Sequence, residues 1–184
     1  MAKIYNNIIM QGVSGQLGNQ LVFRKGKGGQ TIVSAMPTTG RTSTPIQQAH
    51  QEAFRNAIAY AKSAKDETIY LTKSQGTPMT AFNAAVADWF NKPEVLEINT
   101  ENWTGAAGQT IRVKAQDDTQ VAKVHVQITD GAGNLLEQGE ATPADGLWWE
   151  YTTTTNVASV TTAIVKATAH DLPGNNHMLL WQNN

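Results

Sequence analysis

The chain has 184 residues, of which 40% are hydrophobic, enough to bury a core and to exclude global disorder. It contains no cysteine, which excludes disulfide staples, thiolate metal sites and cysteine nucleophiles. A formal net charge of −1 conceals a division: residues 1–65 carry eight Lys/Arg against the single acid Glu52, and residues 66–184 carry six against fourteen Asp/Glu, so the two stretches stand at +7 and −8. Opposite charges of that size favour either a polyanion on the basic stretch or copies of the chain docked head to tail.

The N-terminus offers only the three-residue apolar run Ile8-Ile9-Met10. That is far short of the ~7–15 residues of a signal-peptide core, and no stretch approaches the ~18 apolar residues of a membrane span. The chain therefore reads as soluble, without a Sec signal and cytoplasmic as synthesised. Departure from the cell would need lysis, a virion or a dedicated export machine.

Leu21-Val22-Phe23-Arg24-Lys25 and Gln30-Thr31-Ile32-Val33-Ser34 flank Gly26-Lys27-Gly28-Gly29, the pattern of two strands about a glycine turn. A lone two-stranded hairpin is marginal in water, so this one needs cover. Pro37 to Thr44 reads as loop. A helix follows, with Thr44 as N-cap, Pro45 at the first helical position and Gln47 completing a capping box. Ile46, Ala49/His50, Phe54, Ala57/Ile58 and Ala61 recur on one face to about Ala64. Thr77-Pro78 opens a second helix with a face of Met79, Phe82, Ala85/Val86 and Trp89/Phe90, closed by Pro93, while residues 66–76 carry no clear signal.

After Pro93 the apolar period falls from about 3.6 to about 2. Ile111, Val113 and Ala115 share one face of a strand; so do Val124, Val126 and Ile128, then Leu147, Trp149 and Tyr151, then Ala163, Val165, Ala167 and Ala169. With turns at Asp130-Gly131-Ala132-Gly133-Asn134 and Leu172-Pro173-Gly174-Asn175-Asn176, these strands predict an antiparallel β-sandwich. The strand Val124–Ile128 leading into Asp130-Gly131, the strand Leu147–Tyr151, and Lys166-Ala167-Thr168-Ala169-His170-Asp171 before Pro173-Gly174-Asn175 together resemble bacterial immunoglobulin-like domains. The resemblance covers roughly residues 94–184 and implies a fold without a function, because such modules serve as spacers, adhesive heads and virion decoration. Ser14 to Arg24 also resembles the opening of small uncharacterised bacterial proteins. The expected architecture is thus an α+β part over residues 1–93, a β-hairpin plus a helical hairpin, followed by an all-β immunoglobulin-like sandwich over residues 94–184.

No constellation for catalysis emerges. Gly26-Lys27 runs into Gly28 and a strand, not into a helix, so the amide cradle of a phosphate loop is missing. Gly12-Val13-Ser14-Gly15-Gln16 lacks the final glycine of a nucleophile elbow. His50, His125, His170 and His177 show no zinc spacing. Asp117-Asp118, Asp130 and Asp171 lie at expected turns, where converging carboxylates suit calcium, yet Asp is also an ordinary turn residue. No cofactor, metal or catalytic residue is assigned on these signals.

Interaction candidates are clearer. Arg24, Lys25 and Lys27 make a basic hairpin tip that suits phosphates or the acidic half of a neighbour. Alternation cannot bury both Trp148 and Trp149, so unless a bulge intervenes one ring is expected on an outer face, where an interface would cover it; Trp148 is taken as the candidate. Trp181 ends an apolar strand that either closes the sandwich or pairs with another subunit. The expected function is a non-enzymatic structural protein that self-associates as a homo-oligomer or head-to-tail polymer, in a bacterial or phage assembly. The alternative is a nucleic-acid or polyanion-binding adaptor using the basic hairpin.

Overall fold

The computed structural model describes residues 2–5, 7–10, 12–26, 30–36 and 42–183. The chain forms two compact units, Met1–Gln48 and Ala49–Asn184. Their division falls in the first turn of a helix, whereas the change of apolar period lies at Pro93. Charge follows the units closely: residues 1–48 carry five Lys/Arg and no acid, and residues 49–184 carry nine against all fifteen acids.

The first unit holds a four-stranded antiparallel sheet in the order β1-β4-β3-β2, built from β1 (Ala2–Ile4), β2 (Gly15–Leu17), β3 (Leu21–Lys25) and β4 (Thr31–Ala35). The expected hairpin is the pair β3/β4, in register from Leu21 opposite Ala35 to Lys25 opposite Thr31. β1 and β2 widen it at either edge. They were silent in the sequence because three residues are too few to establish a period of two. Gly18, at φ +55°, turns the chain between β2 and β3.

Helix α1 (Pro45–Ala64) opens as the capping box dictates: the Thr44 amide donates to Gln47 Oε1 at 3.0 Å and the Gln47 amide to Thr44 Oγ1 at 3.3 Å. A short helix α2 (Thr68–Ser74) occupies the stretch that had no sequence signal. Helix α3 (Ala81–Phe90) starts three residues later than expected, because Thr80 and not Thr77 caps it, accepting from the Asn83 amide at 3.2 Å. Thr77 instead turns the chain before the helix, accepting from the Met79 amide. Its buried stripe is Ala84, Ala85 and Asp88, a residue or two round from the expected face. These pack with Ala61, Ala64 and Tyr70, and with Leu172 from a loop of the sheet.

Seven strands follow: β5 (Glu94–Asn99), β6 (Thr110–Gln116), β7 (Val121–Thr129), β8 (Leu135–Pro143), β9 (Trp148–Thr152), β10 (Ile164–Asp171) and β11 (Asn176–Gln182). They are antiparallel in the order β11-β10-β7-β8-β9-β6-β5, and β8 passes from one layer to the other by pairing first with β7 and then, at Thr142 and Pro143, with β9. The result is a sandwich-like, nearly closed sheet whose end strands β5 and β11 approach each other, the Val95 amide donating to His177 Nδ1 at 3.0 Å. Its core contains Ile111, Val113, Ala115, Val124, Val126, Ile128, Tyr151, Ala163, Val165, Ala167 and Ala169, the inward set that alternation identified. Leu147 departs from that set: it precedes β9, its side chain is exposed, and its carbonyl accepts from the Ala115 amide.

Candidate functional site

The polar centre of the second unit lies where the helices meet the loops β6–β7 and β10–β11. Asp88 is fully buried because it continues the Ala84/Ala85 stripe of α3 one turn on. Its Oδ2 accepts from the Tyr70 hydroxyl at 2.5 Å, and Tyr70 in turn shares a 2.6 Å hydrogen bond with the Tyr60 hydroxyl. Asp117 and Asp118 come to the same place from the β6–β7 loop, one oxygen of each and one of Asp88 lying within 4.8 Å of one another. Asp117 Oδ2 accepts from the Thr119 and Gln120 amides, both at 2.9 Å. Lys73 reaches over from α2 to the Asp118 carbonyl at 2.7 Å, Asp118 Oδ2 at 2.9 Å and Thr119 Oγ1 at 2.7 Å. Among the described residues, no donor serves Asp88 Oδ1 or Asp117 Oδ1, both buried.

Burial pushes the Asp88 carboxyl above the usual range; the Thr119 and Tyr70 side chains oppose this, and repulsion from Asp117 and Asp118 adds to it. Burial also raises the Tyr70 hydroxyl, reinforced by its bonds to Asp88 and Tyr60. Nearby, Asp171 accepts from the Gly174 amide at 2.8 Å and from Asn175 Nδ2 at 2.7 Å. Asn175 Nδ2 also donates to the Trp89 and Asn91 carbonyls at the end of α3, which ties the β10–β11 loop to that helix. The residues that carried the immunoglobulin-like resemblance in this loop thus serve as its turn and its fastening. Asp88 itself was missed in the sequence; the available signal was a lone acid at the i+3/i+4 continuation of an alanine stripe.

Of the acids singled out from sequence, Asp117, Asp118 and Asp171 gather at this end. Asp130 is occupied by its own turn, accepting from Ala132 N, Asn134 N and Asn134 Nδ2, which holds its carboxyl below the usual range. The histidines do not assemble: His177 takes the Val95 amide, and burial lowers His170 below the usual imidazole range.

A second feature is apolar. His50, Phe54, Ile58, Phe82, Val86 and Phe90 line an open groove of about 490 Å³ on α1 and α3. Here the two expected apolar faces only half meet. Toward its C-terminus α1 buries Ala57, Ala61 and Ala64, while Phe54 is 48% exposed and Phe90 on α3 is 41% exposed, their rings stacked at 6.4 Å.

The remaining interaction candidates fall apart in space. Arg24 and Lys25 are exposed at the end of β3, and Lys27 lies outside the described residues. Trp148 does face outward, but it is half-buried beneath side chains of the adjacent strand β6, with the Arg112 guanidinium 4.9 Å and the Lys114 ammonium 5.8 Å from its ring. Trp149 packs on the core. Trp181 packs there too, edge-on to Trp103 at 6.4 Å.

No family model and no curated protein matches the chain. Among solved structures it is similar to CopC from Methylosinus trichosporium OB3b, at 13% identity over 48% of this chain and 88% of that one, with a TM-score of 0.35. It is similar also to a tetra-tandem repeat in the extending region of a large adhesion protein, at 20% identity over 51% of this chain and 24% of that one, TM-score 0.32. A conjugative transposon lipoprotein from Bacteroides eggerthii gives 13% identity over 51% and 96%, TM-score 0.26. Likenesses this slight transfer no activity. No helix among the described residues is long and apolar enough to cross a membrane.

Proposed function

We propose that the chain is a non-enzymatic structural protein that self-associates, its second unit built around an immunoglobulin-like module over residues 94–184. The observation that carries this reading is the mainly apolar groove on α1 and α3, in which Phe54 and Phe90 stand open to water. The occupant we assign is another copy of the chain. A unit with five positive and no negative charges complements one in which acids outnumber bases by six, and contacts between unlike patches build head-to-tail assemblies.

Light scattering and negative-stain microscopy of the full chain test this. Assemblies should grow with concentration, should return to monomer on Phe54→Asp or Phe90→Asp, and should loosen as the Debye length falls from ~10 Å at 0.1 M salt toward ~3 Å at 1 M. A monomer at every concentration overturns the reading. Assemblies that ignore 1 M NaCl assign the contact to apolar packing alone. For the module itself, a polypeptide of residues 94–184 should unfold cooperatively, since its strand core is drawn from that stretch alone.

Arg24 and Lys25, exposed on a unit without acids, favour a second reading, binding of a nucleic acid or other polyanion. Replacing Arg24, Lys25 and Lys27 together by Gln should then reduce affinity, and should reduce the salt slope by roughly one unit for each phosphate that is no longer neutralised.

A further inference from the structure

We propose that Asp88, Asp117 and Asp118 bind a hard divalent cation, with Ca²⁺ the best match. Three carboxylate oxygens, one from each residue, lie within 4.8 Å of one another. Oxygens bonded at about 2.3–2.6 Å to one Ca²⁺ span up to about 5 Å across the ion, so a single Ca²⁺ can reach all three, and its flexible coordination suits side chains from separate elements better than Mg²⁺, which demands near-ideal octahedral geometry. The donor set is all oxygen, with neither sulfur nor imidazole, which favours a hard ion over zinc or copper.

The independent observation is an absence of donors. Asp88 is 0% exposed, and among the described residues neither its Oδ1 nor the buried Asp117 Oδ1 finds a hydrogen-bond donor. A buried carboxylate oxygen without a partner is costly, and the polypeptide around it supplies donors readily elsewhere, to Asp88 Oδ2 and Asp117 Oδ2. The two oxygens left bare are on residues of the gathered triad. Lys73 does not fill their place: it engages Asp118 through Oδ2 and the main-chain carbonyl, and it offsets one of the three carboxylate charges. An excess of two negative charges remains in the triad, and Asp171 adds to the field at Asp117. The Asp118 carboxylate is part exposed, so waters can complete the coordination that three side chains leave open.

The full chain, freed of metal by chelation, is titrated with CaCl₂, MgCl₂ and TbCl₃. Saturable binding of Ca²⁺ at about 1 mM or below is expected, with a rise in Tm, a weaker response to Mg²⁺, and Tb³⁺ luminescence excited through the neighbouring Tyr70 and Trp89 that Ca²⁺ displaces. Asp118→Asn, at a solvent-facing position, should weaken Ca²⁺ at least tenfold while leaving the metal-free Tm nearly unchanged; Asp117→Asn should do the same. Asp130→Asn, at a turn filled by its own amides, should not alter binding. No saturable Ca²⁺ or Tb³⁺ response in the native chain overturns the proposal, and so does a response that survives both Asp117→Asn and Asp118→Asn.

Discussion

Two buried carboxylates, Glu137 in the sheet and Asp88 beneath the helices, have been treated in opposite ways by the same chain. Glu137 accepts from the Tyr151 hydroxyl at 2.8 Å, the Thr154 hydroxyl at 2.9 Å, the Thr154 amide and the Thr155 amide at 3.1 Å. Burial alone would raise it, yet those donors hold its carboxyl below the usual range. Asp88 has only the Thr119 and Tyr70 side chains to set against its burial and two more acids, and is pushed up. The first arrangement is complete without anything added, and fastens β8 to the chain leaving β9. The second is complete only with a counterpart. Burial of a charge is therefore not by itself a mark of function; the supply of donors around it separates a clasp from a receptacle.

The largest effect should come from the clasp. Glu137→Ala strands buried donors from three residues and should cost about 3 kcal/mol or more in urea unfolding. Glu137→Gln keeps the shape but turns an amide NH₂ toward donors, and a loss of about 2 kcal/mol is expected. The matching change at the other carboxylate, Asp88→Asn, should stay within about 1 kcal/mol in metal-free protein, because it relieves repulsion while leaving an acceptor for Tyr70. Equal losses at the two positions would break the contrast.

Gly139→Ala sharpens the same comparison from the packing side. A Cβ there would lie 2.8 Å from the Tyr151 ring, the ring that carries the hydroxyl to Glu137. Displacing it should cost about 1–3 kcal/mol by thermal or chemical unfolding.

A smaller effect should appear in pH. Glu137, with its folded pKa depressed, contributes stability above its unfolded value near 4.5 that is lost as pH falls through the folded value. Asp88, with its folded pKa raised, binds its proton more tightly when folded. Its contribution declines as pH climbs from the unfolded value near 3.8 through the folded one. In metal-free protein the stability of the native chain relative to Asp88→Asn should therefore fall with rising pH across that window. A flat difference would show that Asp88 is not raised.

The smallest change belongs to Lys73→Ala. Its pairing with Asp118 is part exposed, so a loss of no more than about 1 kcal/mol is expected, shrinking further at high salt.

Much of the sheet was legible because alternation is a direct image of which face is dry: each of Ile111, Val113, Val126 and Val165 lies where the period of two put it. The start of α1 was equally plain, since Thr44 and Gln47 can satisfy each other's amides without reference to the rest of the molecule. What failed was whatever depended on a partner far along the chain. The face of α3 was misjudged by a residue or two because Met79 and Phe90 are more apolar than Ala84 and Asp88, yet small residues are what allow Tyr70 to approach. Helix α2 offers too little periodicity in seven residues to be seen. The acidic centre was half legible: Asp117, Asp118 and Asp171 were marked as loop acids, but their meeting with Asp88 is decided by how loops separated by dozens of residues converge.

The near-closure of the sheet has a mechanical reading. Each of the six pairings from β5 to β11 is antiparallel, so the first and last strands run in the same direction as they meet at Val95 and His177. Tension applied to the chain before β5 and after β11 pulls the two strands lengthwise past each other. Val95 and Ile98 of the first strand and Leu179 and Trp181 of the last all pack on the same core, so sliding one strand past the other would disturb that core. Under such tension the contact between the end strands would be loaded in shear and not peeled from one edge.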